Sequence, residues 1–277
     1  MNALNNNTTH SCARPPDNTN NSHTMRLHLI AGYIEQIYLV EYPDKLLLLD
    51  GCSYNDVPHV LDFVENTLCR PRQDLKLVTV SHLHPDHAGG AHRLRRLVGC
   101  QIASLNKSGQ WYQGASGLAM YSIDSVLAWY VAYRQRKPLK PLLYCPYLFP
   151  DYQLNDGDSL PGFTDWQVLD THGHTDRDMS LWHPATGQVY VGDVLIKLRH
   201  KYVSPFPVYF VKHYYQSLQR IRALKPTYVL MAHGGRQAIS DAEWDSILQN
   251  APAQRRTVAD TIKHKLFWRP KRKNEDG

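Results

Sequence analysis

The chain reads as an α/β protein. Short apolar runs rich in Val, Leu and Ile alternate with segments of helical period, and residues able to bind a metal gather just beyond the ends of those runs. At 277 residues, 43% hydrophobic and 20% charged, the chain is long enough to bury a sizeable core as one large domain with an inserted cap.

Residues 1–24 are polar, with Asn5, Asn6, Asn7, Asn20 and Asn21, and lack the apolar stretch of a secretion signal. Residues 1–25 therefore read as a disordered tail, with Met25 a candidate start, and residues 26–252 as the folded domain. Residues 34–40 and 45–50 are strand-like runs separated by Tyr42, Pro43 and Asp44, a turn signal, so a hairpin is expected. Its second run ends in Asp50 and Gly51. A carboxylate there would accept the free N–H of a metal-bound histidine. Val57, Val60, Leu61, Val64 and Leu68 then repeat at helical spacing behind Asp56, a candidate cap.

Residues 76–80, Lys-Leu-Val-Thr-Val, form a buried strand. Ser81-His82-Leu83-His84-Pro85-Asp86-His87-Ala88-Gly89-Gly90 follows it. Three imidazoles and a carboxylate within six positions make a donor set suited to zinc, manganese or iron. Such loops beyond strand ends are where α/β sheets collect ligands. In an extended loop, alternation puts His82 and His84 on one side and frees Asp86 and His87 to turn toward a second centre. Gly89 and Gly90 lead into a helix carrying Leu94, Leu97 and Val98, and residues 101–105 form another strand.

Residues 110–152 differ in character. Trp111, Tyr112, Tyr121, Trp129, Tyr130, Tyr133, Tyr144, Tyr147, Phe149 and Tyr152 crowd the segment, while Met120, Ile123, Leu127 and Val131 run at helical spacing. One or two helices are expected, then a loop containing Pro138, Pro141, Pro146 and Pro150. This helical, aromatic-rich insertion serves as a lid giving an aromatic wall to a substrate pocket, or packs against the sheet, or forms a homodimer contact.

The second half supplies further donors. The strand at 166–170 runs into Thr171-His172-Gly173-His174-Thr175. Residues 179–182 and 188–191 form a hairpin about 184–187, and its second strand ends in Gly192-Asp193. A helix at 210–224 precedes a strand at 227–231, which ends in Ala232-His233-Gly234-Gly235. Three more strand ends thus carry His174, Asp193 and His233.

In order, the strand ending in Asp50, the HxHxDH loop at 82–87, the Gly-His-Thr at 173–175, the Gly-Asp at 192–193 and the His-Gly at 233–234 resemble the five motifs of the metallo-β-lactamase-fold superfamily, over roughly residues 30–240. The resemblance implies a four-layer αβ/βα sandwich of two similar halves. It implies His82, His84 and His174 on one divalent metal, Asp86, His87 and His233 on a second, Asp193 bridging both and Asp50 as an outer partner. The two ions would be zinc, with iron or manganese as alternatives. They would share a hydroxide that attacks a carbonyl, and Asp86 would also act catalytically by orienting it. His172, two residues from a ligand, is a candidate proton shuttle or substrate contact, or simply a polar loop residue.

Departures from the pattern narrow the reading. An aspartate at 193 speaks against antibiotic hydrolysis as the main role, and His84 in place of the glutamate of oxygen-reducing members speaks for hydrolysis. Asp176, Arg177 and Asp178 stand where Pro-Gly usually follows the Gly-His-Thr. Lys201 and Tyr202 fall loosely where thioester hydrolases contact glutathione, and Ile196 replaces a tyrosine usual in lactonases. The substrate class expected is a small-molecule ester, thioester or lactone. Alternatives are a phosphodiesterase or RNA nuclease, a β-lactamase-like amidase, and a non-enzymatic binder, which would tend to have lost ligands.

The charge is +6. Residues 253–277 hold eight Lys or Arg against three Asp or Glu, so nearly all of the excess lies in a basic C-terminal helix or tail. The body lacks the basic footprint of a nucleic-acid enzyme. The tail, with Phe267 and Trp268, touches lipid or RNA, or is a solvated end. No apolar run approaches the ~20 residues of a membrane span. Five cysteines, Cys12, Cys52, Cys69, Cys100 and Cys145, are scattered without CxxC spacing, which fits a reduced cytoplasmic setting.

Overall fold

The structure, a computed structural model, describes residues 25–257. The expectations for the N-terminal tail and for most of the basic C-terminal segment lie outside the described residues. The first half contains strands β1 (Arg26–Ala31), β2 (Gln36–Glu41) and β3 (Leu46–Leu48), helix α1 (Val57–Asp62) continued by a π-helical stretch over Phe63–Thr67, and β4 (Leu75–Val80). Helices α2 (Pro85–Ala88) and α3 (Ala91–Val98), β5 (Gln101–Leu105), the 21-residue α4 (Gly114–Arg134) and β6 (Tyr152–Leu154) complete it. The second half runs β7 (Ser159–Leu160), β8 (Phe163–Asp170), β9 (Met179–His183), β10 (Gln188–Tyr190), β11 (Ile196–Leu198), β12 (Lys201–Val203), α5 (Val211–Ala223), β13 (Tyr228–Met231), β14 (Gly235–Gln237) and α6 (Asp241–Gln249).

Strands β1 to β6 pair in sequence order, antiparallel through β3 and parallel thereafter. The second sheet is ordered β14-β13-β10-β9-β8-β7, with β10 and β13 parallel and the other neighbours antiparallel. Both faces of each sheet are covered, so the strands read as continuous apolar runs, yet alternate residues go to different layers. Ile37 and Leu39 of β2, Leu46 and Leu48 of β3 and Val78 and Val80 of β4 pack with Val57, Val60, Leu94 and Val98 of α1 and α3. Tyr38, Val40, Leu47 and Leu77 point the other way and meet Phe163, Trp166, Val168, Tyr190 and Leu230 of the second sheet. Val189, Val229 and Met231 then pack on Tyr214, Leu218, Trp244 and Ile247 of α5 and α6. The result is the expected helix–sheet–sheet–helix sandwich.

Several elements escape the sequence reading. β1 is expected only as the start of folded chain. β7, β11, β12 and β14 are two or three residues long, too short for a period to show. Helix α6 has a readable signal, the Ser240/Glu243 capping box, in which Ser240 Oγ accepts the Glu243 N–H and the Glu243 carboxylate accepts the Ser240 N–H. Asp56 does precede α1 but makes no side-chain cap. It begins the helix in the αR conformation, Pro58 removes the second helical N–H, and its carboxylate instead accepts Ser53 Oγ–H at 2.6 Å.

The insertion is a single helix, α4, and a Pro-rich loop. Its aromatics brace the molecule. Tyr112 is fully buried, Tyr121 packs edge-on against it, and Tyr144 leans on Tyr121. Tyr144 OH donates to the Leu83 carbonyl within the histidine loop, which ties insertion to loop. Cys52, Cys100 and Cys145 are free thiols, and Cys12 lies outside the described residues. No helix among the described residues is long and apolar enough to cross a membrane.

Candidate metal centre

The C-terminal ends of β3, β4, β8, β10 and β13 meet at one edge of the sandwich and carry all the sequence-predicted ligands. His84, extended, is the N-cap of α2, and Pro85 fixes the first helical turn. Asp86 and His87 therefore diverge from His82 and His84 because a helical turn intervenes, not through alternation in an extended loop. Gly192 before Asp193 has φ of +50°, and a Cβ there would lie 2.9 Å from Ser81 Oγ. Glycine lets β10 approach the loop closely enough for Asp193 to enter the site.

Two groups result. One ligand atom from each of His82, His84, His174 and Asp193 lies within 4.8 Å of the others, and the same holds for Asp86, His87 and His233. His84 Nδ1 is 3.0 Å from His82 Nε2 and 3.1 Å from His174 Nε2. His233 Nε2 is 3.0 Å from Asp86 Oδ2. Asp193 faces both groups: Oδ1 is 3.3 Å from His87 Nε2 and 3.5 Å from His233 Nε2, and Oδ2 is 3.9 Å from His174 Nε2.

Whether such residues fit metal ions is tested by what else satisfies them. His87 Nε2 and Asp193 Oδ1 are buried with no hydrogen-bond partner among the described residues, an expensive state for polar atoms unless an ion lies between them. The opposite ring nitrogens of four of the five imidazoles are engaged, while His84 Nε2 is buried with no hydrogen-bond partner among the described residues. His87 Nδ1 meets Asp50 Oδ2 at 2.7 Å, His174 Nδ1 the Pro207 carbonyl at 2.5 Å, His233 Nδ1 the Ile34 carbonyl at 3.1 Å and His82 Nδ1 the Ser81 hydroxyl at 3.0 Å. This is the outer arrangement that fixes the tautomer and aim of a metal-binding imidazole. The residues fit two divalent ions.

Asp50 acts as expected and does more. Its carboxylate accepts the N–H of Gly51 and of Ser81 and the hydroxyls of Ser81 and Tyr190 besides His87, locking three strand ends together. Electrostatics divide the imidazoles. Burial, then the neighbouring rings of His87, His84 and His174, push His82 well below its ordinary range, and burial with His84 lowers His174, so both are neutral donors. Burial also opposes charge on His87 and His233, but nearby carboxylates, Asp86 and Asp193 among them, outweigh it and raise both.

His172 is not brought into this assembly. Its Nδ1 lies 2.6 Å from Asp170 Oδ1, whose other oxygen accepts Lys107 Nζ at 2.9 Å, and its ring stacks on His213 of α5 at 4.4 Å. Two residues absent from the sequence reading do enter. Asp124 of α4 is buried, with Oδ2 3.5 Å from His84 Nε2 and accepting Tyr112 OH at 3.0 Å. Its only sequence signal is that it is the single carboxylate between residues 113 and 150. Glu35 accepts the Ser53 N–H at 3.1 Å, and burial, reinforced by the charges of Asp56 and Asp86, raises its carboxyl well above the usual range.

Above the second group opens a cavity of about 530 Å³ that includes His84, Asp86, Asp193, His233 and Glu35. Its wall is mostly aliphatic: Leu127, Ala128 and Val131 of α4 face Ile196, Leu198 and Val203 of the β11–β12 hairpin, with Phe206, Lys137 and Lys197 also lining it. The helix does cover the site, but the expected aromatic wall is corrected, because the tyrosines turn toward the helix–sheet core or outward to solvent.

Residues 32–233 match the family model described as the metallo-beta-lactamase superfamily. Among solved structures, the chain is similar to an archaeal metallo-beta-lactamase superfamily protein from Sulfolobus tokodaii (19% identity, 87% of this chain and 94% of that chain covered, TM-score 0.58). It is also similar to a metallo-beta-lactamase family protein from Thermus thermophilus (20% identity, 87% and 79% covered, TM-score 0.59). A third similar protein was solved in a di-iron-bound form (20% identity, 77% and 94% covered, TM-score 0.52). With the sandwich, the five strand-end motifs and the family match over most of its length in agreement, the chain belongs to the metallo-β-lactamase superfamily.

Proposed function

We propose that the protein is a dinuclear metal-dependent hydrolase that cleaves a carbonyl ester, thioester or lactone. The observation that carries this reading is Asp193, whose two oxygens face the two ligand groups at the floor of an aliphatic cavity. Two divalent ions held there would supply an acidified water as nucleophile and a Lewis acid for the carbonyl. The protein's own residues do the rest. Asp50, Pro207 and Ile34 hold the imidazoles in register, and Asp86 is oriented by His233. Leu127, Val131 and Ile196 exclude water from an acyl chain, while Lys137 and Lys197 suit an anionic group at the far end. Zinc is the metal we favour from the nitrogen-rich donor set, with iron the alternative that the di-iron relative brings forward.

The test is a hydrolysis panel on metal-quantified protein: an acyl thioester, acyl-homoserine lactones of different chain length, a cephalosporin and bis-p-nitrophenyl phosphate, each repeated with His84→Ala. Turnover of the carbonyl esters that disappears in the variant is the expected result. Dominant cleavage of the phosphodiester would replace this reading with a phosphodiesterase.

A further inference from the structure

The rim of the cavity and the outer face of α4 combine two features that no part of the metal centre requires. One is apolar. Leu127 and Val131 line the cavity, and the neighbouring positions around the helix, Ile123, Val126, Tyr130 and Tyr133, face outward with Val126 57% and Tyr133 70% exposed. Leu139 and Leu143 of the following loop and Leu198 and Phe206 across the cavity are exposed as well. The other is cationic. Arg134, Arg136, Lys137 and Lys140 follow on the same segment, and Arg199 and Lys201 sit at the tip of the β11–β12 hairpin, all exposed. None of these six forms an ion pair among the described residues. Asp124, buried, is the only carboxylate between residues 113 and 150, and residues 194–240 contain none.

We propose that this face docks the protein on an anionic lipid bilayer, with the cavity mouth against the membrane. Large exposed aliphatic and tyrosine side chains beside cations that lack a carboxylate partner are the composition of a membrane-docking surface, in which the apolar groups enter the acyl boundary and the cations meet the headgroups. A second copy of the chain fits less well, since an isologous contact through this face would set the six cations against one another. A polyanion such as RNA would use the cations but leaves the aliphatic stripe without a role. Where the described chain ends also bears on the choice. Arg256 pairs with Val208, two residues beyond Phe206 on the rim, and the sequence after it holds six more Lys or Arg together with Phe267 and Trp268. The inference concerns binding alone and does not depend on which bond the metal centre cleaves.

The experiment is co-sedimentation of the full-length protein with vesicles of phosphatidylcholine alone and of equimolar phosphatidylcholine and phosphatidylglycerol. One variant carries Val126→Ser, Tyr130→Ser and Tyr133→Ser; another carries Arg134→Gln, Arg136→Gln and Lys137→Gln. Circular dichroism and metal content verify that each variant is folded. The expected result is binding to the anionic vesicles that weakens with added salt, that falls roughly a hundredfold in the charge variant, and that is also lost in the apolar variant. Absence of binding to anionic vesicles would overturn the proposal. So would binding that persists in the apolar variant and is matched by RNA, or a solution dimer that the apolar variant dissociates.

Discussion

Replacing Asp124 with asparagine tests whether the inserted helix belongs to the metal centre or merely covers it. The amide keeps the shape of the side chain and can still accept Tyr112 OH, so the packing of α4 is preserved while the charge facing His84 Nε2 is removed. Removing an outer partner of a metal-bound histidine costs about 10–100-fold in affinity. At 3.5 Å the Asp124–His84 pair lies beyond ordinary hydrogen-bond distance and acts through charge alone. The loss should therefore fall near the lower end, about tenfold or ~1.4 kcal/mol. The effect should concern the ion held by His82, His84 and His174, with the ion at Asp86, His87 and His233 retained. Competition against a chromophoric chelator, resolved into two binding steps, reads this directly. If both dissociation constants are unchanged in Asp124→Asn while Asp50→Asn shifts the second one, Asp124 is a packing residue and the coupling between helix and centre is refuted.

Three further outcomes follow from named contacts. Gly173→Ala should destabilise the protein by roughly 3 kcal/mol or more, because φ at this position is +155° and a Cβ would lie 2.4 Å from Tyr214 Cα; a thermal or urea melt measures it. Burial pushes the Cys100 thiol from an ordinary value of 9.0 to about 12. An unfolded thiol ionises first, so this contribution is intact below pH 9.0, falls as pH rises toward 12, and should vanish from the alkaline melts of Cys100→Ala. His172→Ala should leave kcat/KM within about threefold, because its ring is held by Asp170 and His213 away from the cavity; a loss of several hundredfold would restore it as a proton shuttle.

The clustering of these histidines and aspartates was legible because metal chemistry restricts the residue types. A histidine or aspartate at the end of an apolar strand has few other reasons to recur five times. Alternation of apolar residues likewise gave the strands that build the layers. Direction in space was not legible. Nothing in the spacing of Tyr112, Tyr121 and Tyr144 says that they turn toward the helix–sheet core and leave Leu127 and Val131 to wall the cavity. His172 shows the same limit from the other side, since two residues along an irregular loop suffice to reverse a side chain. Asp124 meets His84, and Glu35 meets Ser53, only because the fold brings distant stretches of chain together, and a single carboxylate carries no period. The short strands β11 and β12, which supply half of the cavity wall, fall below the length at which alternation can be read.

The most direct test of the central claim is turnover of the preferred carbonyl ester as metal-free protein is titrated with zinc, and separately with iron, alongside Asp193→Ala. A site bridged by Asp193 should give activity that saturates at two equivalents per chain and should be lost, with at least one bound ion, in the variant. Saturation at one equivalent, or activity in Asp193→Ala equal to that of the unmodified protein, would contradict a dinuclear hydrolytic centre.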